Sequence, residues 1–127
     1  MEVKQNQNIQ NQRNQKYETE NIVKENKINY LYFEKIQEDF ELAKQKVKEF
    51  VNTNELYVSF DVDVLDKEIM QATGYFPENG LSKKQTKELL DLIIPKTKAF
   101  DLVEFNPIKI KLNEDELIKE LFSSFFD

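Results

Sequence analysis

Three acidic residues crowd the end of one apolar run: Tyr57-Val58-Ser59-Phe60 leads directly into Asp61, Asp63 and Asp66. A strand of this composition suits a buried parallel sheet, whose carboxyl edge opens onto the ligand crevice. Carboxylates gathered at such an edge are expensive unless something positive sits among them, and a hard divalent cation is an economical reason to collect them. Residues two apart on a strand point to the same side, so Asp61 and Asp63 are expected to act together. An Asp-x-Asp in which one carboxylate bridges two ions can lower the pKa of a shared water and make it a nucleophile at neutral pH. A second apolar run, Phe100-Asp101-Leu102-Val103-Glu104-Phe105-Asn106-Pro107, repeats the design and delivers Glu104. If the two strands are parallel, the four acids share one edge of the sheet. The plainer alternative is that Asp61, Asp63 and Asp66 form turns and caps at a strand end, with Glu104 a solvated acid.

The chain has no histidine and no cysteine. That removes the usual general base near neutral pH, the commonest transition-metal ligand, thiolate zinc sites and disulfides. A metal held by this chain alone must take oxygen ligands, which suits Mg, Ca or Mn.

The elements that must position these acids follow from periodicity. Residues 28–33 read as a short strand. Ile36, Phe40, Ala43, Val47 and Phe50 then recur at spacings of four and three, one apolar stripe on a helix. Polar residues 52–55 end it, and residues 56–62 form the first acid-bearing strand. Residues 66–80 make a long connection with Gly74, Pro77, Asn79 and Gly80, and loops of this length tend to carry function. Ser82 and Gln85 have the spacing of a capping box. The helix they open carries Leu89, Leu90, Ile93 and Ile94 and stops at Pro95. Residues 99–105 form the second strand. Asn113-Glu114-Asp115-Glu116 reads as a helix start, with acids at the positive end of the dipole, and Leu117, Ile118, Leu121, Phe122 and Phe125 as its apolar face. Helix, strand, helix, strand, helix is an α/β order with a parallel sheet, flanking helices and right-handed crossovers.

At 127 residues the chain is one domain's worth, and 33% charged against 39% hydrophobic residues is a soluble balance. A net charge of −6 argues against nucleic acid and anionic membranes as partners. No apolar run approaches the roughly 20 residues of a membrane helix, and the start lacks a signal-peptide core. These features fit a cytoplasmic protein. Residues 1–27 are an Asn/Gln-rich start, expected as either a disordered tail or a degraded strand, with residues 28–127 as the domain proper.

Ser59-Phe60-Asp61-Val62-Asp63-Val64-Leu65-Asp66 resembles the Ser-Phe-Asp-x-Asp-x-x-Asp signature of the ureohydrolases: arginases, agmatinases and formimidoylglutamases. Ala72-Thr73-Gly74 and Gly80-Leu81-Ser82 resemble that family's following loop. Asp101-Leu102-Val103-Glu104-Phe105-Asn106-Pro107 resembles its Asp-x-x-Glu-x-Asn-Pro element. Ile9-Gln10-Asn11-Gln12 and residues 28–33 resemble, more weakly, the two strands before the signature. The resemblance implies the C-terminal part of an arginase-like three-layer α/β/α fold. It implies a two-manganese hydrolase of linear amidines or guanidines, cleaving C–N bonds other than peptide bonds. Asp61 would be the carboxylate shared by the metals and Asp63 a ligand to one. Glu104 would hold the cationic guanidinium or formimino group, with Thr73 lining the pocket beside it.

The chain also departs from the family. Lys67 stands where proline often follows the third Asp, and Phe76 and Asn79 replace frequent proline and glycine. The family's Gly-Gly-Asp-His and Asp-x-His elements, which carry further metal ligands and a proton shuttle, have no counterpart in a chain without histidine. The expectation is therefore a fragment from a truncated, split or decayed gene, formimidoylglutamase-like, inactive alone, and without a catalytic residue of its own. Its Asp61 strand would present an edge that invites a complementary fragment or a second copy. Three alternatives stand beside it: an arginase or agmatinase fragment, a non-catalytic remnant or interaction protein, and a haloacid-dehalogenase-like phosphatase with Asp61 as nucleophile and Asp63 as acid.

Overall fold

A computed structural model describes residues 18, 20–22, 24, 25, 28–75 and 77–126. The chain divides into two compact units, Met1–Lys35 and Ile36–Asp127. In the first, the described residues between 18 and 25 are helical, and Tyr30 meets Tyr32 edge-to-face at 4.5 Å. Residues 28–32 are irregular, and Phe33 opens a helix, so the strand expected over 28–33 does not form. A strand exists only by pairing, and no described strand lies against this segment; apolar composition alone cannot supply the ladder. The resemblance of residues 9–12 to a strand, the Asn/Gln-rich stretch 4–16 and Phe76 lie outside the described residues.

The described elements run α1 (Phe33–Glu38), α2 (Phe40–Asn52), β1 (Leu56–Asp61), α3 (Lys83–Ile93), β2 (Thr97–Val103) and α4 (Glu114–Leu121). The single helix expected from Ile36 to Phe50 is broken at Asp39. This residue leaves helical geometry (φ −146°), and its carboxylate accepts the Leu42 N–H at 3.0 Å. A short acidic side chain that can bond the backbone favours a new N-cap over an uninterrupted helix. Ala43 and Val51 are the buried residues of α2, while Phe50 is exposed.

β1 and β2 pair in parallel, with Val58 opposite Phe100, Ser59 opposite Asp101, Phe60 opposite Leu102 and Asp61 opposite Val103. Alternation sends Phe60, Phe100 and Leu102 toward α4 and the turn after it. There Phe100 stacks on Phe122 and Phe125, and Phe60 meets Phe122 edge-on. Tyr57 and Ser59 face the other way and are exposed, so β1 is half-covered among the described residues rather than buried throughout. Across that open face Asp101 accepts the Ser59 hydroxyl at 2.6 Å and the Tyr57 hydroxyl. These two bonds, Ser59 first, hold the Asp101 carboxyl below its ordinary range.

The Ser82–Gln85 capping box forms as expected: each side chain accepts the other's backbone N–H at 3.1 Å. α3 buries Thr86 and Leu90 and ends at Ile93, where Pro95 falls in a single 3-10 turn. The start of α4 differs from expectation. Asn113 sits at the cap position in left-handed geometry (φ 58°) without a side-chain cap bond. The core joins Val62, Leu65, Met70 and Ala72 of the β1–α3 connection to Leu90, Ile94, Leu121 and Phe122. It therefore lies directly beneath the segment that follows the acid-bearing strand.

Candidate functional site

Asp61 is the last residue of β1, and the chain turns at once into a 3-10 turn, Val62–Val64. Asp61 Oδ1 accepts the Asp63 N–H at 2.8 Å and so caps that turn. Asp63 is in the turn and not on the strand, which corrects the same-face argument made from a two-residue spacing. Asp61 thus fixes the position of Asp63 by capping the turn that carries it.

Asp63 Oδ1 accepts the hydroxyl of Thr73 at 2.5 Å. Thr73 is fully buried ten residues downstream, so this bond closes the connection back onto the turn. Asp66 serves the same connection and not a cluster with Asp61 and Asp63. Its Oδ1 accepts the Gly80 N–H at 2.9 Å and its Oδ2 the Glu68 N–H at 3.0 Å. Gly80 approaches so closely that a Cβ there would lie 2.5 Å from Asp66 N and 2.6 Å from Leu65 C. Around it Leu81 N–H donates to Val64 O (2.8 Å) and Asp66 N–H to Leu81 O (3.0 Å), a one-residue parallel bridge between Leu65 and Leu81. Gln37 of α1 adds its side-chain amide to the carbonyls of Asn79 and Gly80. Lys67 pairs with Glu78 at 2.8 Å. The bond to Lys67 lowers the Glu78 carboxyl from its ordinary value.

Glu104 immediately follows Val103, the register partner of Asp61, so it stands at the same carboxyl rim. It is exposed and holds φ 68°, the left-handed region that costs a non-glycine residue about 1–2 kcal/mol. Its neighbour Asn106 donates its N–H to Ala72 O at 2.7 Å and accepts the Ile108 N–H on its side chain at 3.1 Å. Asn106 therefore ties the β2 end to the residue before Thr73.

Sequence reasoning missed the role of Glu114. It is fully buried; Oε1 accepts the N–H groups of Lys111 (2.9 Å) and Leu112, and Oε2 that of Gln71 (3.2 Å). Burial pushes its carboxyl up, but the backbone N–H bonds outweigh that and its pKa is lowered. A run of four polar residues at a helix start reads as dipole and cap chemistry, and gives no sign that one acid turns inward.

Asp61 and Asp63 offer oxygen donors of the type a hard cation prefers. Among the described residues, however, no group of three or more histidine, cysteine, aspartate or glutamate side chains is placed to hold an ion. Among the described residues the pair falls short of a complete two-metal site. A polar cleft of about 340 Å³ lies at the opposite, amino ends of the strands, lined by Asn54, Glu55, Pro95 and Lys98 among others. It contains none of these acids. No helix among the described residues is long and apolar enough to cross a membrane.

The arginase family model matches residues 6–125. No curated protein matches the sequence. Among solved structures, the chain is similar to Helicobacter pylori arginase at 25% identity and TM-score 0.65, covering 84% of this chain and 37% of that one. Entamoeba histolytica arginase, solved in complex with L-ornithine, gives 22% identity and TM-score 0.66, covering 82% and 37%. Trypanosoma cruzi formiminoglutamase, solved with Mn2+, gives 20% identity and TM-score 0.63, covering 75% and 34%. The chain thus spans little more than a third of the length of these relatives. The parallel strand pair with flanking helices, the carboxyl-rim acids and the model match across nearly all 127 residues agree: the chain belongs to the arginase family.

Proposed function

We propose that these 127 residues supply part of the site of a manganese-dependent hydrolase acting on linear amidines or guanidines. Asp61 and Asp63 contribute metal ligands, Glu104 meets the cationic end of the substrate, and Thr73 lines the pocket beside it from a buried position behind Asp63. The observation that supports this best is the parallel register. It sets Asp61 beside Val103 and so brings Glu104 to the rim where Asp63 meets Thr73. A fixed carboxylate can orient a planar fork of N–H donors, which is what an amidine or guanidine presents. Formiminoglutamate-type substrates are our first choice, arginine or agmatine the second; similarity to the Trypanosoma cruzi formiminoglutamase supports the former.

The chain is proposed to be inactive by itself. It has no histidine to move a proton, and its described carboxylates do not complete a metal site. A complementary segment, or a second copy, is the proposed partner. The test is hydrolysis of formimidoylglutamate, arginine and agmatine by the isolated chain with added Mn2+. No turnover is expected, together with weak Mn2+ binding that Asp61→Asn and Asp63→Asn each reduce in an electron paramagnetic resonance titration. Turnover by the isolated chain would overturn the inactivity, and Mn2+ binding indifferent to both variants would overturn the ligand assignment. A non-catalytic remnant is the second reading, favoured by the engagement of Asp66 in loop bonds alone. Family membership decides against the phosphatase.

A further inference from the structure

Glu114 is the one fully buried acid among the described residues, and the proposed chemistry does not use it. Both oxygens are committed to backbone N–H groups. Two belong to the approach to α4, Lys111 and Leu112, and one to Gln71, 43 residues earlier in the chain. An ordinary helix cap needs only local donors; the Gln71 bond is the exception. Gln71 is followed by Ala72, whose carbonyl takes the Asn106 N–H at 2.7 Å, and then by Thr73, whose hydroxyl reaches Asp63 at 2.5 Å. The short run Gln71-Ala72-Thr73 is therefore fastened at three consecutive residues: to α4's approach, to the β2 end and to the β1 turn.

We propose that Glu114 is the positioning residue of the candidate site: its buried carboxylate fixes Gln71 and thereby sets Thr73 against Asp63. The significance of Thr73 for substrate rests on the function proposed above; the placement of Thr73 by Glu114 does not. A carboxylate suits this task because two oxygens can serve three donors arriving from different segments. Supporting bonds of this kind keep a contacting side chain within the fraction of an ångström that recognition requires.

Glu114→Gln separates positioning from capping. With its carbonyl oxygen at the Oε1 place it still accepts from Lys111 and Leu112, but its amide N–H2 then meets the Gln71 N–H, donor against donor. In the full 127-residue chain, amide exchange of Gln71 and Asn106 should accelerate on the order of tenfold. The Thr73 hydroxyl proton should lose its slow exchange, while the amides of α3 keep theirs. Leu117→Ala, which loosens α4 but leaves the Glu114 carboxylate its three donors, should leave the Thr73 hydroxyl in place. The unaltered chain offers a second measurement. In sub-denaturing urea the Gln71 and Leu112 amides should open together, because one carboxylate holds both. Unchanged Thr73 and Gln71 exchange in Glu114→Gln, the same change in Leu117→Ala, or independent opening of Gln71 and Leu112 would each overturn the proposal. No metal, substrate or turnover enters these readouts, so they stand apart from the hydrolysis test.

Discussion

The two strands end differently, although both deliver acids to the same rim. After β1 the chain is fastened repeatedly: Asp61 to Asp63 N–H, Asp63 to Thr73, Asp66 to Gly80 and Glu68, and Leu65 to Leu81. After β2, Glu104 stands exposed in left-handed geometry, and no hydrogen bond or ion pair to another described residue holds its carboxylate. The first end is closed by hydrogen bonds within the chain; the second leaves its acid exposed in a left-handed turn. Left-handed geometry at a non-glycine residue is enriched at ligand-binding and switch sites, whereas a closed hydrogen-bonded turn is what a stable fold requires anyway. The contrast divides the candidate residues into those this chain positions by itself and one that it merely presents.

The largest expected effect breaks the fastened end. In Gly80→Ala the added methyl meets backbone atoms of Asp66 and Leu65 at 2.5–2.6 Å, and backbone cannot swing aside as a long side chain can. Either the connection lifts from the β1 end or the turn distorts, at about 2–3 kcal/mol by the scale of overpacking. Urea unfolding of the variant measures it. A change under about 0.5 kcal/mol, the range of an ordinary surface substitution, would mean that the close approach of Gly80 is not what holds the loop.

A smaller effect is expected one bond further along. Thr73→Val keeps the shape of a fully buried side chain and removes only the hydroxyl that reaches Asp63. The half-buried Asp63 oxygen then loses its donor, at about 1–2 kcal/mol. The same unfolding measurement should show this loss, and Asp63→Ala, which removes the acceptor, should make the Thr73 substitution cheaper, because the two act through one bond. Additive effects in that double-mutant cycle would separate Thr73 from Asp63 and remove the link between the turn and the pocket wall.

Much of this was legible in the residues themselves. β1, the Ser82 capping box and the stop at Pro95 are local devices, each written in two to five adjacent residues, and the fold uses them as written. What could not be read depends on partners distant in sequence. Residues 28–33 have strand composition, but a strand is decided by its neighbour. Asp61 and Asp63 have strand spacing, but the strand ends between them because the Asp61 side chain competes for the Asp63 N–H. Glu114 stands among three other polar residues in the sequence, and its inward turn depends on the Gln71 N–H, 43 residues earlier, reaching the start of α4. The candidate residues were thus identifiable by type and motif, while their division into fixed and merely presented depended on which backbone groups the fold brings to each carboxylate.

The smallest effect probes the open end and should carry the opposite sign. Glu104→Gly relieves a left-handed φ that costs a non-glycine residue about 1–2 kcal/mol. Against that stands about 0.5–1 kcal/mol for the extra freedom glycine has in the unfolded chain. The balance is a gain of about 0.5 kcal/mol, read as a rise in the urea midpoint with an unchanged slope. Stabilisation at Glu104 set against destabilisation at Gly80 and Thr73 would identify the β2 end as the place where stability is given up for an exposed carboxylate. Destabilisation at Glu104 would instead mean that the side chain is held within the fold, and the contrast between the two strand ends would disappear with it.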